Sequence, residues 1–531
     1  SNKFGFGFLI IFCWFLIHPY SSLSCPSSCD CFRGAKVFCS SITITELPRN
    51  LSQHVHELIF VETLIDFIDN TTFMGKERLQ KLVFINNKIL SIDQKAFYWL
   101  PQLTDLEITA NPLKELMLGI FDTLKNLQKL SISHNHLDKI HCDLFKNTHN
   151  LQSLILQGNN ISAICNGLLS SLTNLEELNL DDNEINELPY DLFRSLQKLR
   201  VLKLSNNKLT KLKPGTFDCL AKLSELYLNG NLLTLIPRYS FEKLTSLKKL
   251  SLMSNNIKAL HVSIFSSLVN LTVLSLDKNE LKCLPLGIFN ETSNLLMLSI
   301  CENRLKTIPD HLFSRLSHAK NLDLSDNQIE KLQMDSFHGL NSLTHLYLHN
   351  NNISFIGSNT FKHVSNLNML TLHENKLTML PDGTLDPLNN LITVVLHSNP
   401  WICDCSFEYL LQWIKMNKDL TQDSEIFCAD PQDLQEKVIS QFRKQDLGCP
   451  KNILIKILNV DDSNYQSLNV SESQCYLMTN GDLRLNCMVD ICGNKKIHVS
   501  VQDAPDTTLF SQNFNNIYPH CKKMNVSITI N

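Results

Sequence analysis

Three sets of side chains in this sequence have types and spacings that can do chemistry. His54 and Glu57 form a His-x-x-Glu pair, a spacing at which one segment can present two ligands to zinc. His349, His373 and His397 recur every 24 residues, with His345 nearby. On adjacent strands their imidazoles would stand about 5 Å apart, within reach of zinc or copper. The third set is the 18 cysteines. Twelve of them fall into three groups of four: Cys25, Cys29, Cys31 and Cys39; Cys403, Cys405, Cys428 and Cys449; and Cys475, Cys487, Cys492 and Cys521. Such groups are either zinc sites or disulfide frameworks, and each group of four allows three pairings.

The N-terminus decides between zinc and disulfides. Lys3 precedes an almost wholly apolar run from Phe6 to Ile17, and Ser22-Leu23-Ser24 is a small-x-small cleavage signal before Cys25. This pattern predicts a secretory signal peptide over residues 1–24, too short to span a bilayer. No later run approaches the ~18 apolar residues of a membrane helix, so no membrane span is expected. A secreted chain is oxidised, and its clustered cysteines then read as disulfides.

Composition removes other classes. The 531 residues are 43% hydrophobic and 19% charged, too apolar for disorder and too polar for a polytopic membrane protein. A net charge of −4 argues against a partner held by phosphate neutralisation, so no nucleic acid is expected. The 16 glycines include no phosphate-cradling loop.

The element that must position all these side chains is a repeat. L-x-x-L-x-L-x-x-N-x-L begins at Leu79 (Leu79, Leu82, Phe84, Asn87, Ile89) and recurs every 24 residues to Leu391. A degenerate copy, Val55, Leu58, Phe60, Thr63 and Ile65, precedes it and makes 15 copies. This is the leucine-rich repeat signature. An aliphatic residue follows each start from Val55 to Leu367 by 13 positions, and a Phe by 18 except at Leu169 and Leu385. The expected fold is a leucine-rich repeat solenoid, a right-handed horseshoe with a parallel concave β-sheet on the order of 70 Å long. One repeat cannot bury enough apolar surface to offset its own ordering, so stacking is obligatory and both ends need caps. The domains expected are a cysteine-rich N-cap over 25–54, repeats over 55–398, a cysteine-rich C-cap over 399–450 and a small four-cysteine β-domain over 451–531. The β-type runs Ile453–Val460, Leu483–Val489, Ile497–Val501 and Val526–Ile530 support the last.

The repeat register weighs the candidate chemistry. Val55 is a core position and Glu57 points off the first strand, so His54-x-x-Glu57 lacks a third ligand and a carboxylate base. No Ser, His and Asp share a cleft, and a regular open solenoid supplies no water-excluding pocket. No enzymatic activity, cofactor or metal is expected. The strand-outward positions carry eight acids, Glu57, Asp105, Glu107, Glu177, Asp181, Glu225, Asp277 and Asp323, against Lys81, Lys129, Lys203 and Lys249. A mildly acidic concave face favours a partner with a basic patch. Eight glycosylation sequons, at Asn50, Asn70, Asn160, Asn270, Asn290, Asn352, Asn469 and Asn525, avoid those positions.

Five cysteines lie inside the repeats. Cys142 and Cys165 sit 15 and 14 positions into consecutive copies, close enough to bridge. Cys301 points outward from its strand and is expected to be an unpaired, labelled thiol, while Cys219 and Cys283 match no motif.

The full order of parts resembles a known family. Cys25-Pro26-x-x-Cys29-Asp30-Cys31-Phe32, Ile59-Phe60-Val61-Glu62-Thr63, the uninterrupted array, Asn399-Pro400-Trp401, and the tail with Ser473-Gln474-Cys475, Cys487, Cys492 and Cys521 are similar to the large regulatory subunits of carboxypeptidase N. The caps look like the cysteine-rich flanks of extracellular leucine-rich repeat proteins. That likeness implies Cys25–Cys31, Cys29–Cys39, Cys403–Cys428 and Cys405–Cys449 pairs. The resemblance further implies a secreted plasma glycoprotein that binds and stabilises a catalytic zinc carboxypeptidase subunit, in a complex of two catalytic and two regulatory chains. The competing expectation is a receptor-like or matrix-type repeat protein with another protein ligand. A secreted metal enzyme using His54 and Glu57 is the third.

Overall fold

The computed structural model describes residues 25–447, apart from 33–34, 49–50, 422–424 and 436, and the backbone of seven strands between 454 and 530. The expected signal segment lies outside the described residues, as do Asn50, Cys449, Asn469, Cys492 and Cys521. The chain divides into two compact units, Ser1–Ile402 with Tyr409–Ser440, and Cys403–Glu408 with Gln441–Asn531. Residues 399–450 fall partly in each.

The first unit is the solenoid. Each repeat contributes one short strand to the main sheet, and the fixed period puts equivalent residues side by side: Leu178, Leu202, Leu226 and Leu250 are register partners on successive parallel strands. These leucines are 0–1% exposed and face the core, while the residues on either side of them face out. A hairpin, Cys29–Phe32 antiparallel to Lys36–Cys39, closes the first edge, because Lys36–Cys39 pairs in parallel with Glu57–Val61. The sheet has 17 strands and ends at Thr393–Val395.

Two ladders hold the coils together behind the sheet. The first is the repeat asparagine. Asn207 Nδ2 donates to Leu180 O at 2.9 Å, and its Oδ1 accepts from Ile185 N–H at 3.0 Å. Asn231, Asn255, Asn279, Asn303 and Asn327 repeat the arrangement. Each buried amide thus satisfies backbone groups of the preceding coil, which would otherwise be left without partners. The second is the phenylalanine column, whose rings stack at 6.0–6.4 Å in runs such as Phe73–Phe97–Phe121–Phe145, Phe193–Phe217–Phe241 and Phe265–Phe289–Phe313.

One regularity is not visible in the sequence. The eighth residue of every repeat, from Glu62 to Ser398, has φ between 50° and 68°, and only Gly158 and Gly230 among them are glycine. From Glu62 to Glu374 its N–H is turned onto the next coil, as Glu62 to Ile85 O and Asn86 to Thr109 O, both at 3.0 Å. That bond offsets the cost of a left-handed residue.

The C-terminal end is sealed by Trp401, fully buried with Nε1 donating to Leu396 O at 3.1 Å, and by the helix Glu408–Met416. Leu410, Leu411 and Ile414 form the helix's buried face. Tyr409 stands where the phenylalanine column ends. Its hydroxyl accepts from Leu385 N–H at 2.8 Å and donates to Asp386 at 2.9 Å.

In the second unit, backbone pairing gives a four-stranded antiparallel sheet ordered Asn464–Ser467, Leu454–Asp461, Lys496–Asp503, Thr507–Asn515. A three-stranded sheet is ordered Gln474–Thr479, Leu483–Ile491, Lys522–Ile530. The expected β-runs fall in these strands from residue 454 onward, Ile453 lying outside the described residues, and Cys475 is the register partner of Cys487.

Candidate functional site

The strand-outward face carries the eight expected acids, but half of them are laterally neutralised. Glu57 pairs with Lys36 at 3.3 Å, Asp105 with Lys81 at 3.1 Å, Glu177 with Lys203 at 3.9 Å and Glu225 with Lys249 at 3.1 Å. These pairs are solvated, so each contributes only ~0.2–1 kcal/mol. Burial alone would raise the Glu225 carboxyl, but a hydrogen bond from Tyr227 (2.7 Å) and the Lys249 ammonium lower it. The Tyr227 hydroxyl is pushed up to about 12 by burial and then by Glu225.

The carboxylates outside these pairs are Glu107, Asp181, Asp277 and Asp323. Glu107 stands between Val83 and Ser131 in the sheet. Asp181 and Asp277 are turned in. Burial pushes both carboxyls up, against hydrogen bonds from Ser205 to Asp181 and from Ser299 and the Cys301 N–H to Asp277. The acidic face is therefore narrower than the sequence suggests.

This raises a pH prediction. Asp277 is 7% exposed and its folded pKa lies above its unfolded value. Its contribution to stability is full when protonated and is lost as pH rises through the ordinary carboxylate range towards the folded value. Asp277→Asn keeps the oxygen that accepts from Cys301 and removes that loss. Thermal unfolding across pH should show the variant melting above the wild type at neutral pH and converging with it in strong acid. A variant that melts lower at neutral pH would contradict this.

Cys301 is unpaired, as are the exposed Cys219 and Cys283. Its outward register predicted a readily labelled thiol. The structure half-buries it, and burial, then Asp277 and Asp323, push it up to about 12. Since the thiolate is the nucleophile, alkylation of the native protein at neutral pH should mark Cys219 and Cys283 and spare Cys301 until the chain is unfolded. Rapid modification of native Cys301 would overturn this. Cys142 and Cys165 are bonded, with Cα atoms 5.7 Å apart, as are Cys25–Cys31 and Cys29–Cys39. Cys403, Cys405 and Cys428 are also in disulfides.

The histidine column stacks rather than chelates. His349 and His373 lie face to face at 4.6 Å with planes 4° apart, and His373 to His397 is 4.8 Å. His349 Nδ1 is 2.9 Å from Thr371 Oγ1, and His397 Nδ1 is 3.0 Å from Ser398 Oγ. Burial, then its two histidine neighbours, push the His373 imidazole down. His54 and Glu57 do not converge either: His54 Nδ1 is 3.1 Å from an Arg78 guanidinium nitrogen, while Glu57 holds Lys36.

Ligand atoms do converge elsewhere among the described residues, at Asp335, His338 and His363. His338 Nδ1 is 3.4 Å from His363 Nε2, which is 3.7 Å from Asp335 Oδ1. All three are half-buried. Sequence reasoning missed this group, because it followed equal positions in neighbouring repeats whereas His338 and His363 are 25 apart, one repeat plus one residue. Of the sequons, Asn70, Asn160, Asn270 and Asn290 are exposed and Asn352 is half-buried. Asn525 lies in the strand Lys522–Ile530.

Comparisons with known proteins agree with the coil geometry. A leucine rich repeat family model matches residues 173–233, 245–300, 293–353 and 343–400, and a BspA type leucine rich repeat region model of six copies matches 66–200. Carboxypeptidase N subunit 2 of Mus musculus is 36% identical over 126 residues, 22% of this chain and 23% of that protein. Its Homo sapiens counterpart is 38% identical over 52 residues, 10% of each. The chain thus spans under a quarter of the length of these relatives. Human trophoblast glycoprotein is 29% identical over 51 residues, 10% of this chain and 12% of that one. Among solved structures, the Drosophila Toll–Spatzle complex aligns with a TM-score of 0.67 and 24% identity, over 78% of this chain and 62% of that one. A leucine-rich repeat protein of Leptospira interrogans aligns with a TM-score of 0.55 and 25% identity, over 72% and 93%. With the two repeat models together covering more than half of its residues, and the strand, asparagine and phenylalanine ladders all in register, the chain belongs to the leucine-rich repeat proteins, with carboxypeptidase N subunit 2 among its relatives.

Proposed function

We propose that this chain is a secreted, non-catalytic plasma glycoprotein whose solenoid binds and stabilises the catalytic zinc carboxypeptidase N subunit, in an assembly of two catalytic and two such chains. The observation that carries this reading is the 36% identity to mouse carboxypeptidase N subunit 2 over 126 residues. The described disulfides support an oxidising compartment. No helix among the described residues is long and apolar enough to cross a membrane. In this reading the sequons carry glycans, and Cys403 closes on Cys428 and Cys405 on Cys449. Glu107 and Asp323, outside the lateral ion pairs, offer a basic patch on the partner a mildly acidic surface, so the contact weakens with salt.

The test mixes the chain with a secreted basic-residue carboxypeptidase and follows residual activity on warming. A partner bound to the folded state gains ~2.7 kcal/mol at a hundredfold excess over Kd. Protection that falls with salt is expected. No complex, no protection, or hydrolysis of a C-terminal-Lys peptide by this chain alone would overturn the assignment. The similarity to trophoblast glycoprotein supports a second reading, a repeat protein with another protein ligand, and that reading gains if the carboxypeptidase does not bind.

A further inference from the structure

We propose that Asp335, His338 and His363 form a zinc-binding site on the returning segments of two neighbouring repeats, away from the strand-outward face. The three side chains place one ligand atom each within 4.8 Å of one another. Two ligands held 2.0–2.1 Å from a tetrahedral zinc stand roughly 3.3–3.5 Å apart. The 3.4 Å between His338 Nδ1 and His363 Nε2, and the 3.7 Å between His363 Nε2 and Asp335 Oδ1, are close to that edge length. Two imidazoles and a carboxylate are a zinc donor set, with the fourth position left to water. Calcium and magnesium prefer all-oxygen surroundings and are disfavoured here.

The scaffold under the site is rigid. The parallel pair Lys331–Leu332 and Phe355–Ile356 fixes the two repeats in register just before the turns that carry the ligands. Phe337, adjacent to His338, is fully buried and stacks on Phe361 at 6.0 Å with planes 9° apart. Ser336 Oγ accepts from Gln333 N–H at 2.9 Å and ties the first turn. From the preceding repeat, His311 sets its ring edge-on against His338 at 4.8 Å, which limits the swing of that imidazole. The ligand-bearing backbone is thus held before any ion arrives, the condition for a selective site. The alternative is a bare contact in which one imidazole donates to the other and no metal is needed.

Equilibrium dialysis separates the two. The untagged full chain is stripped with chelator and dialysed against micromolar zinc with excess magnesium and calcium, and bound zinc is counted. We expect one zinc per chain, weakened on the order of 100-fold in His363→Ala and in Asp335→Asn, and unchanged in His373→Ala on the strand-outward face. Circular dichroism confirms that each variant is folded, and zinc should raise the unfolding midpoint of the wild type but not of Asp335→Asn, a near-isosteric change that keeps the test open if His363→Ala does not fold. No zinc uptake by the folded wild type, or full uptake by folded Asp335→Asn, would overturn the site. Loss of uptake in His373→Ala alone would do the same.

Discussion

Phe217→Ala should destabilise the chain by about 3–5 kcal/mol. Phe217 is 1% exposed and is the middle ring of a three-ring stack, 6.0 Å from Phe193 and 6.4 Å from Phe241. Its removal leaves a cavity walled by two rings that the ladders on both sides hold apart, so the site cannot collapse to refill it. In a solenoid, stability is a sum of repeat terms and neighbour interfaces, and this one change damages two interfaces at once. Phe217→Leu should cost less, because Leu169 and Leu385 already occupy the equivalent position in two repeats. Urea unfolding of the three proteins reads the order directly. An alanine variant as stable as the leucine variant would show that the column fills space without supporting its neighbours.

Loss of the Cys29–Cys39 disulfide has a second large effect, about 2–4 kcal/mol, with a consequence beyond stability. The two cysteines face each other across the cap hairpin, and Cys39 is fully buried. That hairpin is all that covers the edge of the strand Glu57–Val61 among the described residues. The segment that joins the hairpin to that strand is held by Lys76, whose Nζ donates to Leu51 O at 2.6 Å and whose pKa burial pushes down. A frayed cap leaves an unpaired parallel edge bearing Ile59 and Val61, a template for pairing with another chain. The Cys29→Ala/Cys39→Ala variant should unfold at lower denaturant and self-associate in light scattering. Unchanged stability and a monomeric species would show that the hairpin holds without its bond. A non-reducing peptide map of the wild type in the same experiment tests the proposed Cys403–Cys428 and Cys405–Cys449 pairs.

The sequence by itself determined the coil. A period of 24 with leucine, asparagine and phenylalanine at set positions leaves one way to bury the apolar residues, and it fixes which residues are neighbours on successive strands. Neighbourhood along the period was therefore legible, including Cys142 beside Cys165. What the period cannot fix is where a side chain goes once it leaves the backbone. The left-handed eighth residue was hidden because Lys278 and Glu302 carry no sign of it; the bond that offsets its cost comes from the next coil. The helix Glu408–Met416 was hidden because its apolar stripe acquires meaning only against the end of the solenoid. The eight outward acids were equal in the sequence, yet Asp105 finds Lys81 while Asp277 folds inward onto Ser299 and Cys301. Equal spacing made His349, His373 and His397 a candidate metal column, but the rings stack on one another at 4.6 and 4.8 Å, and His349 and His397 turn their Nδ1 atoms to separate hydroxyls. The nitrogens that do converge, on His338 and His363, are offset by one residue from the period, so equal spacing does not reveal them. Burial and convergence are properties of side-chain direction in three dimensions, and only the tertiary structure decides them.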